Sequence, residues 1–225
     1  MLPQAISGLL PIGMAVALSP IPIIGVVLVL ESAKARVNGP LFALGWVGGL
    51  VAVSTIATVA AGDASDPGST AATGVNWVLT GIGVLFLLMA VSQWKKRPHP
   101  GETAELPGWM ASIESVSPAK ALALGAGLSA ANPKNLALTL AAAAIIAEAG
   151  LDTSDTAIAL AVFVAIGSAT VVGAVLFALV APTRAHRSLG RVKQFMAANN
   201  ATIMMVVLLI LGAKFLGDGL AAWWT

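Results

Sequence analysis

Cysteine is absent from the 225 residues, which excludes disulfides, thiolate metal sites and thiol redox relays. Charge is nearly as scarce. Asp, Glu, Lys and Arg make up 10% of the chain, against about 25% in a soluble domain. No GxxxxGK[ST] segment is present to bind a nucleotide. The two histidines, His99 and His186, fall in connecting stretches, so neither a histidine cluster nor a nucleophile with its base is in place for an intramembrane enzyme. No enzymatic activity and no cofactor are expected. The net charge of +2 is too small to suggest a nucleic-acid partner. At this length there is room for one compact membrane domain and none for a separate catalytic module.

What the chain does have is apolar surface. The 58% hydrophobic content has nowhere to go in water, so lipid must be the solvent for most of it. Spanning the hydrocarbon as helix takes roughly 20 apolar residues. Six segments qualify: Leu2 to Leu30, Pro40 to Ala61, Val75 to Trp94, Ala119 to Ala147, Thr156 to Ala181 and Ala201 to Trp224. The N-terminus has no basic flank and its apolar run is too long for a signal peptide, so the first segment is expected as a retained helix. Helices are expected because backbone groups in lipid must be satisfied within each segment.

The charged residues set the topology. Lys34 and Arg36 follow segment 1. Lys95, Lys96 and Arg97 follow segment 3, with Lys120 at the start of segment 4. Arg184, Arg187, Arg191 and Lys193 follow segment 5. The other two links carry only Asp63 and Asp66, then Asp152 and Asp155. Basic loops stay cytoplasmic. The predicted form is an all-α, multi-pass protein of the plasma (inner) membrane with both termini outside.

A link, residues 95–118, divides the chain into 1–94 and 119–225, each with three segments. It holds Pro98, Pro100, Pro107 and Pro118. Between them Trp109, Met110, Ile113 and Val116 have helical spacing, which fits a short interfacial helix or a plain flexible linker equally. Segment 1 begins outside and segment 4 inside, so the two three-helix halves read as inverted repeats, a recurrent construction in transporters. Each half has a proline interruption in its first segment: Ser19-Pro20-Ile21-Pro22, and Asn132-Pro133-Lys134-Asn135. Proline removes a backbone donor and crowds the carbonyl four residues earlier, so a kink or break is expected there.

A lysine near the middle of a span costs at least ~2.5 kcal/mol and normally faces a protein interior or a watery cavity. Lys134 sits at such a position, and Lys214 is placed similarly in segment 6. Either could instead be a structural lysine bonded to internal carbonyls. No acid lies mid-segment, for Glu31 and Glu148 are at ends and Asp218 is near the outer end of segment 6. A hard-cation path would need oxygen anions at the midplane. Central lysines without acids favour an anionic or zwitterionic substrate. Ser19, Pro20, Pro22, Asn132, Pro133, Lys134, Asn135 and Lys214 are the candidate substrate-binding residues.

Small residues complete the pattern. Gly45, Gly48 and Gly49 in segment 2, and Gly167, Ser168, Ala169 and Thr170 in segment 5, let backbones approach closely. Such faces are compatible with a homodimer. Ser54 and Thr58 share a helix face and could line a cavity, although such hydroxyls more often bond the preceding turn. Trp223 and Trp224 fit an interfacial belt.

This arrangement resembles the lysine-exporter superfamily, with its six helices in two halves, a proline-rich break in helix 1 and an Asn-Pro-Lys break in helix 4. Gly39-Pro40 and the Ala43-Leu44-Gly45 to Gly49 run are also similar. Within that superfamily, Leu9 to Pro22 and Ser129 to Asn135 most resemble the actinobacterial glycopeptidolipid-addressing proteins, the GAP family. The resemblance implies movement of complex glycolipids to the cell surface, with Pro20, Pro22, Asn132, Pro133 and Lys134 at the site. Amino-acid exporters of the superfamily tend towards Pro-Gly-Pro at the first break, where this chain has Pro-Ile-Pro. The leading expectation is therefore an exporter or flippase of an anionic lipid-linked envelope molecule, working by rocking one half against the other. A small-solute exporter and a non-transporting accessory subunit of an envelope-export machine are the alternatives.

Overall fold

Caps and glycines, more than propensity, divide this apolar chain into helices. In a computed structural model, which describes residues 1–62, 69–97 and 116–221, there are eight helices and no strand among those residues. They are α1 (Leu2–Ala17), α2 (Pro20–Glu31), α3 (Ala35–Ala61), α4 (Thr70–Lys95), α5 (Pro118–Ala130), α6 (Pro133–Glu148), α7 (Thr153–Val180) and α8 (Pro182–Ala221). Ser69, Ser117 and Asp152 each accept a backbone N–H of the following first turn, from Ala72, Lys120 and Asp155. These bonds satisfy donors that a helix start leaves orphaned. Gly62 and Gly150 close α3 and α6 in the left-handed region, at φ 68° and 52°, where a side chain would be strained.

Four helices, α3, α4, α7 and α8, are long and apolar enough to cross a membrane. The pairs α1–α2 and α5–α6 pass the same test together, bent by 51° and 57°, so the spans number six if each bent pair counts as one. The chain is thus a multi-pass membrane protein. Asp63, Asp66, the proline and aromatic stretch from Pro98 to Ile113 including His99, Pro107, Trp109 and Met110, and the pair Trp223 and Trp224 lie outside the described residues.

Helices α3 and α4 start five residues earlier than expected, which puts Arg36 on α3, and the largest difference is at the start of α8. Arg184, Arg187, Arg191 and Lys193 were expected in a loop, yet they lie on α8, which runs 40 residues. From Thr183 to Ala221 it has no proline to stop it, and its basic stretch consists largely of good helix formers. At 1.5 Å per residue α8 is about 60 Å long, twice the hydrocarbon thickness. Its basic end is tied to α2 by an ion pair between Lys193 and Glu31.

The packing joins the two ends of the chain. α3 packs closely on α5, α1 on α7, and α4 on α8. Each of these pairs takes one helix from before the 95–118 link and one from after it. The α3–α5 contact depends on glycine. A Cβ on Gly45 would collide with the Leu122 carbonyl oxygen, and one on Gly125 with the Phe42 carbonyl oxygen. The small-residue face expected on segment 2 is therefore used within the chain. Phe42, Trp46, Leu50 and Phe163 fill the buried centre, and Phe86 packs against Phe215 with ring centroids 6.0 Å apart.

Candidate functional site

Both proline breaks have the same local grammar. Pro20 is the first residue of α2 and Pro133 the first of α6. At that position a missing N–H costs nothing and the fixed φ suits a helix start. The prolines therefore begin new helices where kinks within one helix were also expected. Extended residues precede them: Ser19 at φ −68°, ψ 115°, and Asn132 at φ −74°, ψ 118°. The Asn132 side chain caps α6 by accepting the Lys134 N–H at 3.1 Å. Ser19 makes no such cap. Its hydroxyl faces elsewhere.

That hydroxyl meets Lys134. The ammonium donates to Ser19 Oγ at 3.1 Å and to the Ala15 carbonyl oxygen at 2.8 Å. Ala15 lies in the last turn of α1, where carbonyls lack intrahelical donors. Two residues on, the Ala17 carbonyl accepts the Thr170 hydroxyl of α7 at 2.6 Å. The C-terminal end of α1 thus has its freed oxygens satisfied by a cation from α6 and a hydroxyl from α7. A cation is also favoured there by the negative end of the helix dipole. Lys134 is 2% exposed and Ser19 is likewise buried. The two breaks, 113 positions apart in sequence, are therefore held together by one side chain.

The second break has its own staple. Asn135 Nδ2 donates to the Leu128 carbonyl oxygen near the end of α5 at 3.0 Å, and its own carbonyl accepts the Thr139 hydroxyl at 2.8 Å. Asn135 Oδ1 is buried with no partner among the described residues. Pro22 is buried one turn into α2, whereas Pro133 is exposed at the head of α6.

The structure brings together Ser19, Pro20, Pro22, Asn132, Pro133, Lys134 and Asn135. It does not bring Lys214 to them. Lys214 pairs with Asp218 one turn along α8, and both interact electrostatically with Glu148 at the far end of α6. Glu148 lies 14 residues beyond Lys134 on α6, roughly 20 Å along the axis. Thr170 and the Ala15 carbonyl complete the brace. A main-chain oxygen has no signature in sequence. Thr170 has one, since a hydroxyl in an apolar helix needs an acceptor, a demand beyond the close packing expected of the Gly167 to Thr170 run. Thr170→Val should leave the Ala17 carbonyl unpaired and cost about 1–3 kcal/mol. Thermal unfolding of the detergent-solubilised variant against wild type measures this.

The sequence from residue 9 to residue 221 matches the family model SfLAP, described as Sap, sulfolipid-1-addressing protein. The chain belongs to this family. The SfLAP match runs from within α1 to the last residue of α8, so both breaks and the Lys134 brace lie inside it. By its description SfLAP is a lipid-addressing family, as the resemblance implied. No curated protein and no solved structure matches the chain.

Proposed function

We propose that this SfLAP member is a membrane transporter, not an enzyme, that exports or flips an anionic lipid-linked or glycolipid envelope molecule. The observation that carries the proposal is the Lys134 brace. A buried lysine joins two helix breaks in a membrane-spanning bundle, with its described partners a carbonyl and a hydroxyl and no acid among them. Broken spans with freed carbonyls and helix starts are where transporters bind their substrates. The substrate class follows from the family description, and a sulfolipid or a related acidic glycolipid fits a cationic centre.

The inverted repeat and membership of the lysine-exporter superfamily belong to the same reading. Exchanging the two halves maps the α3–α5 contact onto α1–α7, α2–α8 onto α4–α6, and α4–α8 onto itself. That exchange symmetry supports two repeats. Three spans in each half would give them opposite orientation, and the basic links argue for both termini outside the plasma membrane. Rocking of whole halves does not suit this packing, because each close pair spans both. Alternating access by hinging at the Ser19 and Asn132 breaks suits it better.

The test is reconstitution. Purified protein in liposomes with fluorescent phosphatidylglycerol should make inner-leaflet label accessible to an external quencher faster than protein-free vesicles do. No acceleration by folded protein would sink the lipid-carrier reading. It would favour an accessory subunit of an envelope-export machine, or a soluble substrate. The accessory reading has one specific support, the lack in this sequence of a nucleotide-binding motif or a mid-membrane acid to couple energy.

A further inference from the structure

Three cavities lie end to end along the antiparallel seam between α3 and α7. The inner one, about 280 Å³, includes Arg36 of α3, Leu179 of α7 and His186 of α8. The middle one is a groove of about 780 Å³ between α3, from Val47 to Thr55, and α7, from Ala157 to Leu176. The outer one, again about 280 Å³, is lined by Thr58 of α3 and by Thr153 and Thr156 of α7. On α3 the lining positions 36, 47, 51, 54, 58 and 62 fall on one helical face, by steps of three and four. From Arg36 to Gly62 that face rises roughly 40 Å, enough to cross a hydrocarbon core of roughly 30 Å.

The groove's chemistry is that of a hydrocarbon site with one polar point. On α7 the residues Ala157, Ala161, Ala165, Ala169 and Gly173 recur every fourth position and keep the floor low. Val51 and Leu176 on its walls are half exposed, so it opens towards lipid. Its volume falls within the range of roughly 300–1,000 Å³ typical of ligand sites. Ser168 lines it with a buried hydroxyl that has no partner among the described residues, and Thr58 Oγ1 lines the outer pocket in the same condition. Buried hydroxyls are normally paired, so these two point to something that enters. Ser168 is also next to the site already described. Its neighbour Gly167 packs against Val16 of α1, and Thr170 bonds Ala17.

We propose that the α3–α7 seam is the path of the transported membrane lipid, whose acyl chain lies in the groove while its anionic headgroup passes between the Arg36 pocket and the threonine pocket. This rests on the lipid-carrier reading and adds where the lipid travels. The occupant is lipid because the groove is apolar, opens sideways and lies on two membrane-crossing helices. The headgroup is anionic because the charged cavity holds Arg36 and His186, with its one acid, Glu31, neutralised by Lys193.

Gly173 offers a way to block the path without disturbing the fold. A Cβ there meets nothing within 4 Å, as at Gly81 on α4, away from the seam. Full-length wild type, Gly173→Leu, Ala169→Val and Gly81→Leu are reconstituted with fluorescent phosphatidylglycerol, and folding is checked by gel filtration. Gly173→Leu is expected to slow lipid movement at least tenfold and Ala169→Val severalfold, with Gly81→Leu unchanged. Arg36→Gln is expected to slow phosphatidylglycerol more than a fluorescent phosphatidylcholine. A phosphatidylglycerol with a photoreactive acyl chain should label α3 and α7 peptides of wild type and lose them in Gly173→Leu. Movement by folded Gly173→Leu at the wild-type rate overturns the path and leaves the carrier reading intact. So does label spread evenly over α4 and α7, which marks ordinary surrounding lipid, or a seam closed to label by a second copy. A wild type that moves no lipid removes the carrier reading itself. If Gly173→Leu fails to fold, Ala169→Val decides the same question.

Discussion

Lys134→Met is expected to stop lipid movement in reconstituted vesicles, by a factor of at least ten, while the protein remains folded. Methionine keeps the length and the apolar stem of lysine but has no donor. The Ala15 carbonyl and the Ser19 hydroxyl lose the ammonium that now bridges them. Orphaning such acceptors costs about 1–3 kcal/mol each. Removing a buried charge offsets that, because its desolvation costs several kcal/mol. The two effects oppose, so stability should change by less than about 2 kcal/mol. Function has no such compensation. The end of α1 loses its tie to the start of α6, and an anionic substrate loses the one cation at the break. Near-wild-type lipid movement by the folded variant would show that Lys134 only holds helices together. Gel filtration and a melting curve beside the transport assay separate the two effects.

Gly125→Ala should destabilise the protein strongly, while Gly127→Ala, two residues along the same helix, should not. Both changes add one methyl group to α5 and gain about 1 kcal/mol of helix propensity. At 127 the new Cβ meets nothing within 4 Å. At 125 it would collide with the Phe42 carbonyl oxygen and crowd the Trp46 nitrogen, both backbone atoms of α3. A side chain can turn away, but a helix backbone can only move as a whole. Overpacking costs about 1–3 kcal/mol, sometimes more, and backbone contact places this case at the upper end. The expected net loss is at least about 2 kcal/mol, a large part of the roughly 5–15 kcal/mol that holds a typical fold together. Parallel melts of the two variants in one detergent check it. Equal melting temperatures would mean that α3 and α5 are not in close contact in the folded protein.

Hydropathy and charge made the spans legible, because composition alone decides where a helix can meet lipid. All six apolar segments appear as helices or bent pairs. Both breaks were legible too, since Pro20 and Pro133 each interrupt a long apolar segment and cannot continue the ladder. The start of α8 was not. Arg184 to Lys193 looks like a loop to a hydropathy scale, yet nothing in it disrupts helical geometry. The link from Lys134 to Ala15 was also hidden, because sequence shows a buried donor but not which distant carbonyl receives it. Lys214 looked equivalent to Lys134 by depth alone. The i,i+4 spacing to Asp218 was the signal that it had a local partner.

The crossing of helices between the two ends of the chain also constrains how the protein is made. α1 packs on α7, α3 on α5 and α4 on α8. Synthesis delivers α1 to α4 to the bilayer before any of these partners exists. During that interval the glycine notch at Gly45 and the carbonyls ending α1 have no protein to cover them. α3 can be covered once α5 emerges, but α4 must wait for α8 to gain its main partner. The packing of α4 is therefore complete only when α8 enters the membrane, and a truncation within α8 should leave the α8-facing side of α4 open to lipid, with its contact to α6 retained.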